Sequence, residues 1–130
     1  MNSSQEADGH PKPYDLRQRT KQFALRVIRL SEALPKSNAC RVIGGQLLRS
    51  GTSAGANCRA AHRGRSRAEF IAKMGIVEEE LDESSYWMEL LVESRAVAQE
   101  RLAPLMTEAS ELTAIVVSCI KNARAQRKPR

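Results

Sequence analysis

The arginines between positions 59 and 67 are the residues in this sequence with the clearest potential for ligand binding. They surround a short link that contains a glycine, and a lysine follows one to two turns further on. The cluster comprises Arg59, Arg63, Arg65, Arg67 and Lys73. Guanidinium groups bind phosphate oxygens through paired hydrogen bonds, and a helix that begins inside such a cluster adds free N–H groups. The cluster therefore indicates a phosphate site, and the alternative is a solvated surface paired with neighbouring acids.

Positive charge also accumulates at the end of the chain. The formal net charge is +6, and the basic tail contributes four cations without an acid: Arg124, Arg127, Lys128 and Arg130. An isoelectric point near 9.7 favours attraction to polyanions such as RNA or DNA. No aromatic side chains are interleaved with these basic residues, which disfavours base stacking. The charge pattern thus indicates contacts to phosphates rather than to bases.

A run of small residues forms a second candidate surface. Residues 50–57 read Ser-Gly-Thr-Ser-Ala-Gly-Ala-Asn. Each glycine inside a helix costs about 1 kcal/mol relative to alanine, so a close approach by a neighbour must compensate. Three interpretations stay open: packing inside the protein, a subunit interface, or a ligand cleft. The candidate residues for close packing or an interface are Ser50, Gly51, Ala54, Gly55, Asn57 and Trp87. The two polar ones, at positions 50 and 57, need hydrogen-bond partners wherever they are buried.

Neither a catalytic constellation nor a metal site can be assigned. His62 follows Cys58 by four residues, but no oxyanion donors or substrate cleft accompany this pair. The acidic residues within 78–83 lack the Glu-x-x-His pattern of bundle metal sites, and we expect them to pair with arginines of the first helix. Three scattered cysteines, of which Cys40 and Cys119 are the others, fit neither a zinc site nor a disulfide framework. We therefore expect no enzymatic activity, no cofactor and no metal.

Hydrophobic residues recur at spacings of three and four, which predicts four amphipathic helices. Pro35 ends the first helix, Gly64 suits the end of the second, and Ser66 with Glu69 fits a capping box at the start of the third. Pro104 is a favourable first-turn residue for the fourth helix. The predicted helices cover about residues 14–34, 38–62, 66–98 and 104–123.

Four such helices with short connections predict an all-α fold, an antiparallel up-down-up-down four-helix bundle. We expect residues 1–13 to be a disordered lead-in, residues 14–123 to form the bundle, and residues 124–130 to be a basic tail. No signal-peptide pattern precedes the bundle, and no stretch approaches the roughly 18 apolar residues of a membrane span. The simplest localisation is cytoplasmic.

Three segments in and around the second and third helices carry more information than the hydrophobic spacing, which indicates only that helices form. They read Gln-Leu-Leu-Arg-Ser-Gly-Thr-Ser-Ala-Gly-Ala-Asn at 46–57, Arg-Ser-Arg-Ala-Glu-Phe at 65–70 and Tyr-Trp-Met-Glu-Leu-Leu at 86–91. Together with the helix pattern over residues 14–122, they resemble the four-helix-bundle proteins encoded in intervening sequences of bacterial 23S rRNA genes. That family is similar to the accessory protein of diversity-generating retroelements, a basic pentamer that binds the reverse transcriptase and nucleic acid. The resemblance implies a homopentamer and supplies no catalytic residues.

Three functions from different classes are weighed against these features. The leading hypothesis is an oligomeric, non-enzymatic bundle whose basic surface binds RNA or DNA through phosphate contacts. The alternative is a scaffold that recruits a protein partner and has no nucleic-acid role. The third is a small-molecule or enzyme role in the bundle core or in an oligomer channel. If the chain forms a pentamer, large apolar residues outside the four helix seams should lie in its interface. The candidates are Ile28, Leu48, Ile76, Leu90 and Ile120.

Overall fold

The computed structural model describes residues 13–126, with side chains from Leu16 onward. The elements are α1 (Pro13–Ala33), α2 (Asn38–His62), α3 (Arg67–Glu93) and α4 (Gln99–Ala125), and this part of the chain contains no strand. The predicted all-α, four-helix fold is therefore confirmed. The predictions for residues 1–12 and for Arg127, Lys128 and Arg130 lie outside the described residues.

Contacts between α1 and α2 show how these two helices run. A side chain added at Gly51 would meet Val27, whereas one added at Gly55 would meet the backbone of Thr20. A later position on α2 thus lies opposite an earlier position on α1. The two helices are antiparallel, and small residues let them approach closely along their contact.

The α2–α3 pair follows the same rule. Ser50 lies within hydrogen-bond distance of Ser84, and Ser53 further along α2 donates to Glu80 earlier on α3. In addition, α3 packs against α4, and α4 contacts α1, so that the four helices enclose one core. These contacts are those of a helical bundle in which consecutive helices are neighbours.

The core consists mainly of aliphatic and methionine side chains with a single phenylalanine. Phe23, Leu47, Met74 and Leu112 are fully buried, one from each helix. The seam positions predicted from three-and-four spacing are buried for the most part. One correction is Asn57, which is only half-buried, because Cys58 occupies the inward position beside it. A second is Ile120, which is 6% exposed in the core rather than available to an interface.

The connection between α3 and α4 differs from the prediction. α3 ends at Glu93 rather than near residue 98, because Arg95 takes a left-handed conformation with φ of 67°. The N–H groups of Arg95 and Ala96 donate to the carbonyls of Val92 and Leu91. These two bonds form a Schellman motif, which terminates a helix by satisfying its last carbonyls.

α4 begins at Gln99, five residues before the predicted start at Pro104. A proline lacks the N–H that would bond the carbonyl four residues earlier, so it weakens the first turn without ending the helix. Burial of Leu102 favours this extra turn. By length and composition α4 could cross a membrane, with a mean hydropathy of 1.3 over its most apolar window. This corrects the expectation that no stretch approaches a membrane span: 28% of that window is buried, and Leu112 and Val116 of this helix lie in the bundle core.

Candidate functional site

A groove of about 480 Å³ lies between α1 and α2 on the outside of the bundle. We call it the basic groove. Its described lining comprises Arg17, Gln18, Lys21, Ala24, Thr52, Gly55, Ala56, Arg59 and Arg63. Four of these nine side chains are cationic, and none is acidic. The groove has a size typical of sites for small ligands, which range from about 300 to 1,000 Å³.

The spacing of residues on each helix explains why these cations converge. Arg17 and Lys21 are four residues apart on one face of α1. Arg59 is in the last turn of α2, and Arg63, four residues later, is the C-cap of this helix. A Cβ at Gly55 would lie 3.3 Å from the carbonyl oxygen of Thr20. The backbones of the two helices thus approach closely, and small residues line the bottom of the groove between the cations of α1 on one side and Arg59 and Arg63 on the other.

The four cations of the basic groove are exposed. Among side chains 16–126, the ion pairs are made by two other arginines. Arg19 pairs with Glu108 at 2.7 Å and with Glu111 at 3.0 Å, and Arg49 pairs with Glu80 and Glu83. None of these carboxylates lines the groove. The groove therefore presents concentrated positive charge to solvent.

The predicted arginine cluster is divided by the structure. Arg59 and Arg63 line the basic groove, whereas Arg65, Arg67 and Lys73 are exposed at the start of α3, outside it. Arg124, the described cation of the basic tail, is exposed in the last turn of α4.

At the N-terminus of α3, the N-cap side chain binds one of the free N–H groups, and a carboxylate lies beside the helix start. The hydroxyl of Ser66 accepts from the N–H of Glu69 at 3.1 Å, and the carboxylate of Glu69 accepts from the N–H of Arg65 at 2.7 Å. This arrangement differs slightly from a full capping box, in which the glutamate would return to the N–H of the capping serine. A carboxylate beside the helix start disfavours a phosphate at the same place.

The small-residue run serves packing within the bundle along most of its length. Gly51 and Ala54 are buried, and a Cβ at Gly51 would lie 2.9 Å from a methyl carbon of Val27. Asn57 donates its side-chain N–H to the carbonyl and the hydroxyl of Ser53, on its own helix. Gly55 both packs on α1 and lines the basic groove.

A buried pair of hydroxyls joins α2 to α3. The Oγ atoms of Ser50 and Ser84 are 2.9 Å apart, and both residues are fully buried. Ser84 lies 2.9 Å from the carbonyl of Glu80, whereas Ser50 lies 3.3 Å from that of Leu47. Since each hydroxyl has one proton, the shorter distances favour Ser50 donating to Ser84 and Ser84 donating to the carbonyl. The pair supplies the polar partner that a buried Ser50 requires.

The acidic residues of α3 pair with a different helix from the one predicted. Arg49 of α2, not an arginine of α1, binds Glu80 and Glu83, because α2 is the neighbour of α3 along this face. The hydrogen bond from Arg49, followed by one from the indole N–H of Trp87, lowers the pKa of Glu83. Trp87 is half-buried, and its ring meets that of exposed Tyr86 edge-on at 5.0 Å.

The cysteine–histidine pair has the features of a packing contact. The sulfur of Cys58 is 3.8 Å from Nδ1 of His62, but that nitrogen lies 2.9 Å from the carbonyl of Cys58. Burial raises the pKa of the Cys58 thiol, which disfavours the thiolate needed for nucleophilic attack. The ring of His62 packs edge-on against Phe70. Within the described residues, no group of three or more potential ligands could hold a metal ion.

Arg17 and Lys21 are functional candidates that the sequence analysis did not single out. Their four-residue spacing on the exposed face of a helix is a signal that could have indicated a charged face. The partner face could not be found in this way, because Arg59 and Arg63 are about forty residues away in the chain. Only the antiparallel packing of α1 on α2 brings the two pairs together.

Comparisons with known proteins agree with the fold. Residues 12–118 match the family described as 23S rRNA-intervening sequence protein. A similar solved structure is that of a protein of unknown function from the S23 ribosomal protein family of Bacteroides thetaiotaomicron, with a TM-score of 0.79 and 34% sequence identity. The alignment covers 84% of this chain and 97% of that one. No match was found among curated proteins.

Proposed function

This chain belongs to the 23S rRNA-intervening sequence protein family, and we propose that it is a non-enzymatic, cytoplasmic bundle protein that binds RNA or DNA through phosphate contacts. The basic groove is the observation that carries this proposal. Four cations from two helices face one concave surface, and no described residue of its lining is acidic. Nucleic-acid phosphates are the most abundant polyanionic partners that such a surface can meet inside a cell.

The electrostatics give the proposal a quantitative form. Each phosphate neutralised by a lysine or arginine releases condensed counterions, so log affinity falls with log salt by about 0.7 to 0.9 per contact. Four contacts in the basic groove predict a slope of roughly −3 to −4. The exposed cations at the start of α3 and in the basic tail would add to this value if they also touch phosphate. Contacts of this kind carry little base preference.

The first experiment compares two pairs of arginines that carry the same charge. Anisotropy of fluorescent structured RNA and duplex DNA is measured across a salt series for the wild type, for Arg59→Ala/Arg63→Ala in the basic groove, and for Arg65→Ala/Arg67→Ala at the start of α3. All four arginines are exposed, so both variants should fold, which circular dichroism checks. We expect the groove variant to flatten the slope by about 2 units. The matched variant should change it less, because Glu69 occupies the start of α3.

Absence of binding to either nucleic acid at 50 mM salt, a condition chosen to favour charge contacts, would discard this function. The protein-partner scaffold would then be the better interpretation. One observation favours it: Ile28, Val42 and Tyr86 are large apolar or aromatic side chains with 38%, 58% and 51% exposure. Weak and salt-insensitive nucleic-acid binding would point the same way.

We also propose that the chain assembles with itself, as a homopentamer. Ile28 is exposed, and Leu48, Ile76 and Leu90 are half-buried in the single chain, so association could cover further apolar area at each of them. Repetition of the basic groove in every subunit would strengthen binding to one long polyanion through simultaneous contacts. Sedimentation velocity at micromolar concentration tests this. A monomer would exclude the pentamer, and an oligomer that Ile28→Glu dissociates would support this interface.

A further inference from the structure

We propose that the basic groove binds a phosphate monoester, with the phosphate at its arginine-rich end and the organic part of the ligand at its uncharged end. The inference deepens the proposed function and rests on it where the ligand is a nucleic acid. Two sources offer this chemistry: the terminal phosphate of an RNA or DNA strand, and a free nucleoside monophosphate.

The groove has a direction, which follows from the antiparallel register. Because Gly51 lies opposite Val27 and Gly55 opposite Thr20, equal steps along the two helices place Ala24 near the level of Thr52. Going the other way along the groove reaches Lys21, then Arg17 and Arg59, and then Arg63. Seven residues separate Ala24 from Arg17, which corresponds to about 10 Å along the helix axis. One end is thus small and uncharged, and the other is cationic.

The size and lining of the groove restrict what enters it. A volume of about 480 Å³ accepts a ligand of nucleotide size. Ala24, Gly55 and Ala56 leave room at the floor because their side chains are absent or short. Among the described lining residues, the cations are the groups that can bind the phosphate of such a ligand.

Charge matching favours a monoester over an internal diester. The four cations of the groove repel one another, and a ligand with more negative charge at one point offsets more of that repulsion. A phosphate monoester carries about −1.5 to −2 at neutral pH, whereas a diester within a strand carries a single charge. A monoester also has three terminal oxygens that arginine forks can bind in pairs. A strand end therefore fits the groove better than the middle of a strand.

The test uses the full chain and three probes. Two single-stranded RNA oligonucleotides share one sequence and differ only in a 5′-phosphate or a 5′-hydroxyl, and the third probe is uridine 5′-monophosphate. Affinities for the RNAs come from anisotropy, and calorimetry measures the mononucleotide. We expect the phosphorylated RNA to bind about tenfold more tightly, as one additional charge-assisted contact implies. The mononucleotide should compete with it.

Two variants locate the site. Ala56→Leu fills the groove without changing a charge, and its matched control, Ala72→Leu, places the same side chain on an exposed position of α3 outside the groove. Both keep a good helix former, so neither should disturb the fold. We expect Ala56→Leu to abolish the tenfold ratio and the competition, and Ala72→Leu to retain both. A ratio that persists in Ala56→Leu would overturn the inference, since the monoester would then bind elsewhere.

The remaining outcomes separate this inference from the proposed function. Equal affinity for the two RNAs without competition by the mononucleotide overturns the monoester site and leaves phosphate-backbone binding intact. Binding of the mononucleotide alone, lost in Ala56→Leu, overturns the nucleic-acid function and supports the groove as a nucleotide site. No binding of any probe overturns both. Tighter binding of phosphorylated RNA than of the mononucleotide identifies the strand end as the preferred source.

Discussion

Gly51 offers the sharpest test of how α1 packs on α2. Replacing it with alanine places a Cβ 2.9, 3.0 and 3.1 Å from the Cγ2, Cγ1 and Cβ atoms of Val27. Val27 is fully buried, and a β-branched side chain cannot rotate freely out of the way. Either the valine leaves its rotamer or the helices move apart, and overpacking of this kind costs about 1 to 3 kcal/mol.

Helix propensity acts in the opposite direction and provides the control. Alanine stabilises a helix interior by about 1 kcal/mol relative to glycine. A Cβ at Gly45, on the same helix, would meet nothing within 4 Å, so Gly45→Ala should show this gain alone. For Gly51→Ala the two effects combine to a change between about 0 and 2 kcal/mol of destabilisation. The two variants should therefore differ by about 1 to 3 kcal/mol.

Urea unfolding followed by circular dichroism, at one fixed protein concentration, measures both changes. A third variant, Val27→Ala with Gly51→Ala, should be less destabilised than the sum of the two single changes, because the shortened side chain admits the new Cβ. If Gly51→Ala stabilised the protein as much as Gly45→Ala, the close approach of α1 and α2 at this position would be refuted.

Three further predictions concern other contacts. Ser50→Ala and Ser84→Ala should each cost about 0.5 to 1.5 kcal/mol, and the double variant should cost less than their sum, because either single change already removes the hydrogen bond between the two hydroxyls; urea unfolding measures the cycle. Arg95→Gly should raise stability by up to about 1 kcal/mol in thermal unfolding, since glycine adopts the left-handed conformation without strain, and an unchanged or lower midpoint would contradict this. The lowered pKa of Glu83 means that its stabilising contribution is present above the ordinary glutamate pKa and is lost as pH falls through the lowered value. The fluorescence of the single tryptophan, to which this carboxylate is bonded, should titrate below that ordinary value, and Arg49→Ala should shift the midpoint upward.

Helix ends were predictable to the extent that local signals were strong. α2 has the bounds expected from its cap and its hydrophobic spacing, and Ser37 accepts from the N–H of Cys40 as a helix cap should. The C-terminus of α3 was predicted too late in the sequence, because the left-handed residue of its Schellman motif is an arginine and no glycine marks the position. The start of α4 was predicted at Pro104, which is too late. The preceding turn is helical because Leu102 is buried against other helices, and this tertiary contact cannot be read from the local sequence.

Inward positions were predictable for most large apolar residues, whereas Ile120, which was expected at an interface, lies in the core. Where neighbouring residues are all small, the sequence did not show which of two adjacent residues points into the core. Asn57 is half-buried and Cys58 is fully buried, although spacing favoured the reverse. Side chains of similar small size give no strong preference from transfer energy, so the neighbouring helix decides which of them faces inward.

By itself, the sequence determined the four helices, the composition of the core and an excess of positive charge, because periodicity, capping residues and charge count are local or additive properties. It also indicated that the glycines of α2 must meet a close neighbour, since their cost in a helix requires compensation. Only the tertiary structure decided which neighbour that is and which charges share a surface. The partners of Arg49, the pairing of Ser50 with Ser84, and the meeting of Arg17 with Arg59 all depend on the order and register in which helices pack. Register is set by the fit of many side chains at once, and no single stretch of sequence contains it.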